Sequence, residues 1–215
     1  MRMNGNSSST SQRKRVRLRP EDRSRLILEA ARVEFGANGF TDTRIEDIAA
    51  RAGLTKTGVY AHYRGKDAIF EALLTEALKV AGVDSKVVWK PDGSESLEEM
   101  VDTYLDRLYR MVQNPVFTEL FRLLLTESNR VPDLIRHWHE EVVIQYRAQE
   151  QALIDACVRA GLLRNSPLTK LFALSTAPAF LWLVSKLILR KDGEFPLDQV
   201  RQIHRAMLLD QLQPR

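Results

Sequence analysis

The segment "TRIEDIAARAGLTKTGVYAHY", Thr43–Tyr63, holds two short helical patterns joined at a glycine. In the first, Ile45, Ile48, Ala49 and Ala52 line one side. Thr43 and Glu46 have the S/T-x-x-E spacing of a capping box, and Gly53 ends the run. Thr55 caps the second helix, whose Val59 and Tyr63, four apart, turn toward the same core. Lys56, Thr57 and Tyr60 then project from the opposite side. Two capped helices meeting at a glycine turn form a helix-turn-helix pattern, and the second helix of such a pair fits the DNA major groove. From Thr55 to Tyr63 that helix rises about 13 Å. Lys56 can reach a phosphate or a guanine edge, while Thr57 and Tyr60 can donate to phosphates. Thr43 and Arg44 open the preceding helix, where unpaired backbone N–H groups attract phosphate. Thr55, His62 and Lys66 complete the expected DNA-facing set. The same helix pair also serves as plain scaffolding in many α proteins, so the pattern alone leaves both readings open.

Upstream, "PEDRSRLILEAARVEFGANG" begins with a proline and with Glu21 and Asp22 in its first turn, both favourable at a helix start. Ile27, Ala30, Ala31 and Phe35 share a face, with Glu34 at its edge, and Asn38–Gly39 supplies a left-handed stop. Downstream, Ile69, Phe70, Leu73, Leu74, Ala77 and Leu78 recur at helical spacing. Residues 82–95, with Pro91 and Gly93, read as a hinge or loop. Further helices are predicted over 96–113, 115–128, 132–160, 167–191 and 197–212, bounded by Asn–Pro, Val–Pro, glycine and Asp–Gly breaks. No run of alternating β-branched residues occurs, so the expected class is all-α. The expected division is a basic arm over 1–19, a helix-turn-helix domain over 20–66, and a larger helical regulatory and dimerisation domain over 67–215. Helix 67–81 connects the last two.

The 215 residues are 44% hydrophobic and 28% charged, a balance that fills a core and covers it. The net charge of +4 conceals an asymmetry: residues 1–20 carry six basic side chains and no acidic one, leaving 26 basic and 28 acidic over the rest. A basic arm attracts polyanions, although such tails also act simply as solubilisers. The single cysteine, Cys157, excludes an internal disulfide and a cysteine-based metal cluster, and points to a reducing compartment such as the cytoplasm. The amino terminus lacks the apolar centre of a secretory signal. The apolar run 171–189 contains Pro178 and Lys186 and falls short of the roughly 20 residues a membrane span wants. It is expected to be a buried or subunit-contacting helix, with no membrane partner.

Residues 39–73 resemble the DNA-binding domain of the TetR family of transcriptional regulators. Gly39–Phe40, Thr43, Ile48–Ala49, Ala52–Gly53–Leu54–Thr55, Tyr60, Tyr63 and Lys66–Asp67 stand at that family's spacings. Two departures stand out: Gly58 lies inside the recognition helix, at a cost of about 0.5–1 kcal/mol against alanine, and Tyr63 replaces a usual phenylalanine. The resemblance implies a homodimer whose last two helices pair with their copies, a double-stranded DNA operator, and a small-molecule effector held in the larger domain. It implies repression rather than activation, no enzymatic activity and no cofactor. The composition of 171–189, apolar nearly all round, agrees with a subunit contact. Leu171, Leu174, Phe180, Leu181, Val184 and Leu187, with Ile203, Met207 and Leu208, are the expected seam.

Tyr104, Phe121, His137, Trp138 and Phe172 are the expected pocket residues, suited to an apolar or aromatic ligand. "HWHEE", 137–141, lacks the H-E-x-x-H spacing, so no metal site is expected. The remaining acidic residues, interleaved with arginines, read as a solvated surface. The competing readings are a helical-bundle enzyme or ligand carrier with an incidental helix pair, and a constitutive DNA binder with a filled core.

Overall fold

A computed structural model describes residues 19–80, 88–189 and 195–214. The basic residues of the arm other than Arg19 lie outside these, as does the first part of the expected hinge, residues 82–87. Among the described residues every regular element is helical. The first unit comprises α1 (Pro20–Asp42), α2 (Ile45–Arg51) and α3 (Lys56–Tyr60). Glu21 and Asp22 occupy the first turn of α1, behind Pro20. The helix breaks at Gly39, whose φ of 78° lies where a side chain would be strained. Gly53, at φ 67°, makes the turn between α2 and α3. Ile27, Ala31 and Phe35 of α1, Ile48 of α2 and Val59 of α3 are fully enclosed. They meet Ile69 and Phe70 of α4 (Lys66–Val80). The rings of Phe35, Phe40 and Phe70 lie 4.8–5.7 Å apart. Each buried Ile, Val or Phe side chain here contributes about 1.5–3 kcal/mol, so this core holds the short α3 in place without help from its own length.

The start of α2 differs from the sequence expectation. Arg44, not Thr43, is the residue before the helix, and the Asp47 carboxylate accepts from the Arg44 N–H at 3.0 Å. Thr43 is buried instead, and its hydroxyl approaches the Gly39 carbonyl at 2.7 Å and that of Glu34 at 3.2 Å. The threonine closes the end of α1, where the Gly39 break leaves carbonyls unpaired. The capping box expected of Thr43 and Glu46 therefore does not form.

The second unit continues with α5 (Leu97–Gln113), α6 (Pro115–Glu127), α7 (Pro132–Trp138), α8 (Ile144–Arg159), α9 (Pro167–Lys170), α10 (Ala177–Leu189) and α11 (Leu197–Leu212). Ser96 and Glu99 form a reciprocal cap on α5, and Asn114 caps α6 through Val116 and Phe117. The single helix expected over 132–160 contains a π turn at His139–Val143. The one expected over 167–191 is interrupted: Leu171 leaves helical geometry at φ −142°, ψ 70°, and a 3₁₀ segment, Phe172–Thr176, precedes α10. Pro178 accounts for the restart, because a proline fits the first turn of a helix, where its missing N–H is not needed. Gln151 of α8 spans the break, accepting from Phe172 N at 2.9 Å and donating to Thr169 O at 2.7 Å.

Helix α6 lies between the two units and packs on both α1 and α4. Arg32 of α1 pairs with Glu119 of α6 and, at 2.6 Å, with Glu29. The Glu119 carboxylate lies over Gly36, where an added Cβ would stand 2.7 Å from its oxygen and move that flexible side chain.

Candidate nucleic-acid interface and internal cavity

Arg44, Lys56, Thr57 and Tyr60 are exposed together around α2 and α3. Thr55 caps α3, its Oγ1 accepting from Gly58 N at 3.1 Å. A Cβ at Gly58 would sit 3.3 Å from that oxygen, a tight contact. The Lys56 ammonium pairs with Glu46 at 2.5 Å and lies 6.0 Å from the centre of the Tyr60 ring. The Lys56 hydrogen bond lowers the Glu46 carboxyl, with Lys56 and Arg44 also attracting its charge. Glu46 thus sits among the cations of the expected DNA surface, where the sequence reading placed none.

Other expected contacts have internal duties. Thr43 is buried, as above. Lys66 donates to the carbonyls of Thr41 and Thr43, both at 2.9 Å, and its ammonium stands 4.6 Å from the Phe40 ring centre. A lysine carries three donors, so one remains after this clamp. His62 is half-buried. Helix α3 ends at Tyr60, shorter than the expected span to Tyr63, because the His62 and Tyr63 N–H groups both turn back to the Val59 carbonyl. The Tyr63 hydroxyl hydrogen-bonds to Ser24 at 2.6 Å, giving it an internal partner.

A cavity of about 250 Å³ opens between α4, α5, α6, α8 and α10. Leu74, Leu78, Leu108, Met111, Leu120 and Leu124 give it apolar walls, with Phe117, Phe121, Trp138 and Phe180 as rings. Phe121 lies 6.1 Å from Phe117 and 5.4 Å from Phe180. One edge, between α5 and α8, is polar: Tyr104, Arg107, Tyr146, Arg147 and Glu150. Burial pushes the Glu150 carboxyl up to about 7 although Arg107 and Arg147 pull the other way. Burial likewise pushes Tyr146 up to about 12. The Tyr104 hydroxyl hydrogen-bonds to Ser175 at 2.5 Å. The Ser175 carbonyl accepts from His204 Nε2 at 2.8 Å, so Nδ1 accepts from the Tyr109 hydroxyl at 3.1 Å. A polar chain therefore runs from the cavity wall to α11.

Of the expected pocket residues, Tyr104, Phe121 and Trp138 line the cavity. Phe172 stands behind the wall, its ring 5.4 Å from that of Tyr104. His137 is exposed and takes no part, whereas His139 lines the cavity. The π turn beginning at His139 ends the regular spacing on which the face assignment relied. Arg107, Arg147 and Glu150 were missed because an interleaved charge pattern on α5 and α8 looks solvated until the two helices face each other.

The expected seam is partly exposed. Leu171, Leu174, Leu181, Ile203 and Met207 stand more than half accessible, joined by Ile188. Phe180 and Leu208 face inward instead, the first onto the cavity and the second into the core. By length and mean hydropathy, 1.7 over 18 residues, Phe172–Leu189 could cross a membrane. Here its Phe172, Ala179, Trp182 and Leu183 are buried in the protein.

Two family models match successive parts of the chain. Residues 27–73 match the model for bacterial regulatory proteins of the tetR family, and residues 96–169 that for the C-terminal domain of AefR-like transcriptional repressors. HTH-type transcriptional repressor SCO4008 of Streptomyces coelicolor is 33% identical over 109 residues, 51% of each chain. HTH-type transcriptional regulator TtgW of Pseudomonas putida is 34% identical over 102 residues, 46% of this chain and 72% of its own. The chain thus spans only part of these curated relatives, about half of the repressor's length. A crystal structure of a TetR family regulator from Pseudomonas syringae superposes with a TM-score of 0.66 at 26% identity, covering 87% of this chain and 95% of that one. With a helix-turn-helix unit and a repressor-type helical domain matched in this order, the chain belongs to the TetR family of bacterial transcriptional regulators.

Proposed function

We propose that the protein is a homodimeric, cytoplasmic DNA-binding repressor, released from its operator by a small apolar or aromatic ligand. The observation that carries this reading is α6, which lines the cavity on one side and grips α1 on the other. Phe117, Leu120, Phe121 and Leu124 face the cavity. Glu119 and Arg122 face α1, where they meet Arg32 and the Gly36 carbonyl. A ligand that displaces α6 displaces α1, and α2 and α3 share its core. The ligand acts only if it binds one arrangement better than the other.

On DNA, Lys56 exchanges the Glu46 carboxylate for a phosphate, while Thr57 and Tyr60 donate from the exposed side of α3. Arg44 and the third donor of Lys66 extend the contact, and the arm over residues 1–19 follows the phosphate strand or the minor groove. The exposed apolar side chains of α10 and α11 are covered by a second copy. This pairing presents two α3 helices to successive major grooves, about 34–36 Å apart. A cavity of this size favours the ligand-responsive reading over a constitutive binder with a filled core.

Selection from a random duplex pool, followed by binding titrations from low to high salt, tests the reading. A palindromic site with a steep negative log–log salt slope is expected. Binding that is indifferent to sequence, or no binding, overturns it. Deleting residues 1–18 lowers affinity and flattens the slope; an unchanged slope removes the arm from the contact.

A further inference from the structure

The polar edge of the cavity narrows the class of ligand, on the reading that this cavity is the effector site. Arg107 of α5 and Arg147 of α8, the latter exposed at the cavity's rim, bring two permanent positive charges to this edge, and Glu150 is the sole carboxylate among the described residues that line the cavity with them. The Arg107 guanidinium also reaches the Tyr146 hydroxyl. The rest of the lining is almost wholly apolar, dominated by leucines and aromatic rings. A cavity of about 150 Å³ takes up benzene. One of about 250 Å³ therefore admits a larger, substituted or fused ring.

We propose that the effector is an amphipathic monoanion, an aromatic carboxylate whose acid group sits between Arg107 and Arg147 and whose rings lie among Phe117, Phe121 and Phe180. Planar guanidinium forks suit a carboxylate geometrically and form stronger, charge-assisted hydrogen bonds. A neutral ligand forms no charge-assisted bond with these guanidiniums. A cation adds a third positive charge against one carboxyl. Glu150 is the group that the ligand's acid displaces. Its burial weakens its own hold on the arginines, because the carboxyl keeps its proton up to about pH 7.

The probes are 2-naphthoate, 2-naphthamide and 2-naphthylmethylammonium, which share one ring system and differ in charge. Their binding to the full-length protein without DNA is followed by titration calorimetry. Naphthoate is expected to bind at least tenfold more tightly than either of the others. Arg107→Gln and Arg147→Gln each remove most of that preference while leaving naphthamide affinity unchanged, which a general loss of folding would not do. Phe121→Ala weakens naphthoate and naphthamide together. Equal affinities, a preference for the ammonium, or no binding by any probe overturns the proposal. Operator binding is measured separately. Selective naphthoate binding that leaves operator affinity unchanged keeps the ligand class and removes the effector role. Loss of selectivity in a protein that still binds its operator removes only the ligand class.

Discussion

Glu46 places a negative charge within the proposed DNA surface. Its carboxylate holds Lys56 at 2.5 Å, and both groups are exposed. On the proposed DNA contact, phosphate would have to displace it, and its own charge would repel the DNA backbone. Glu46→Gln is therefore expected to raise operator affinity about two- to fivefold at low salt, the range of an exposed ion pair. An unchanged or lower affinity in the same titration removes Glu46 from the contact. Tyr60→Ala should weaken binding about tenfold, as for one hydrogen bond to a charged group, with the dimer intact by sedimentation. A pH dependence of stability belongs to Glu150. Its folded value, about 7, stands above the ordinary 4.5. The folded protein thus keeps a proton that the unfolded chain loses, and stability falls as pH rises from about 4.5 through 7. Glu150→Gln should be neutral in melting temperature at pH 5 and stabilising at pH 8, by at most about 3 kcal/mol. A destabilised variant at pH 8 would show that the arginines, not burial, dominate that carboxyl.

The elements divide by how local their causes are. Thr55, Ser96 and Asn114 cap the helices that their sequence positions imply, because a cap needs only the next three residues. The segment 167–189 could not be read in the same way. Its composition is uniformly apolar, yet Leu171 turns out of the helix and Gln151, from another helix, satisfies the freed backbone groups. Gln151→Ala should lower stability by about 1–3 kcal/mol, the cost of unsatisfied buried backbone groups. Thermal melting checks this, and a change within error would mean that water replaces the glutamine. The failure at Thr43 has the same origin: its hydroxyl is claimed by α1, a neighbour that the local capping pattern does not contain.

Across the molecule, two surfaces would connect the proposed DNA contact, the cavity and the proposed second subunit. The first is the α1–α6 junction, where Arg32 and Glu119 pair beside Gly36. Arg32→Ala should leave the fold and dimer intact while changing how much a cavity ligand reduces operator affinity. A ligand response identical to the parent's would place the coupling elsewhere. The second is the exposed apolar face of α10 and α11. Leu181, 63% accessible, is its most outward residue near the middle of α10. Leu181→Glu should yield a monomer on sedimentation, with retained helicity and operator binding lost to below detection at concentrations that saturate the parent. A dimer of unchanged affinity would move the interface off this face.

The chain's own order of residues determined the helical class, the glycine turn between α2 and α3, and the exposure of Lys56, Thr57 and Tyr60. All of these follow from spacing within a few residues, where backbone hydrogen bonding and helical period act. Which polar and charged groups are spent internally was decided only in three dimensions. Thr43 and Lys66 are drawn to the end of α1, Glu46 is drawn to Lys56, and Arg107, Arg147 and Glu150 meet across two helices far apart in sequence. A side chain's periodicity says which way it points; what it meets there depends on helix packing, and packing sets both the desolvation and the partners that give a charge its role.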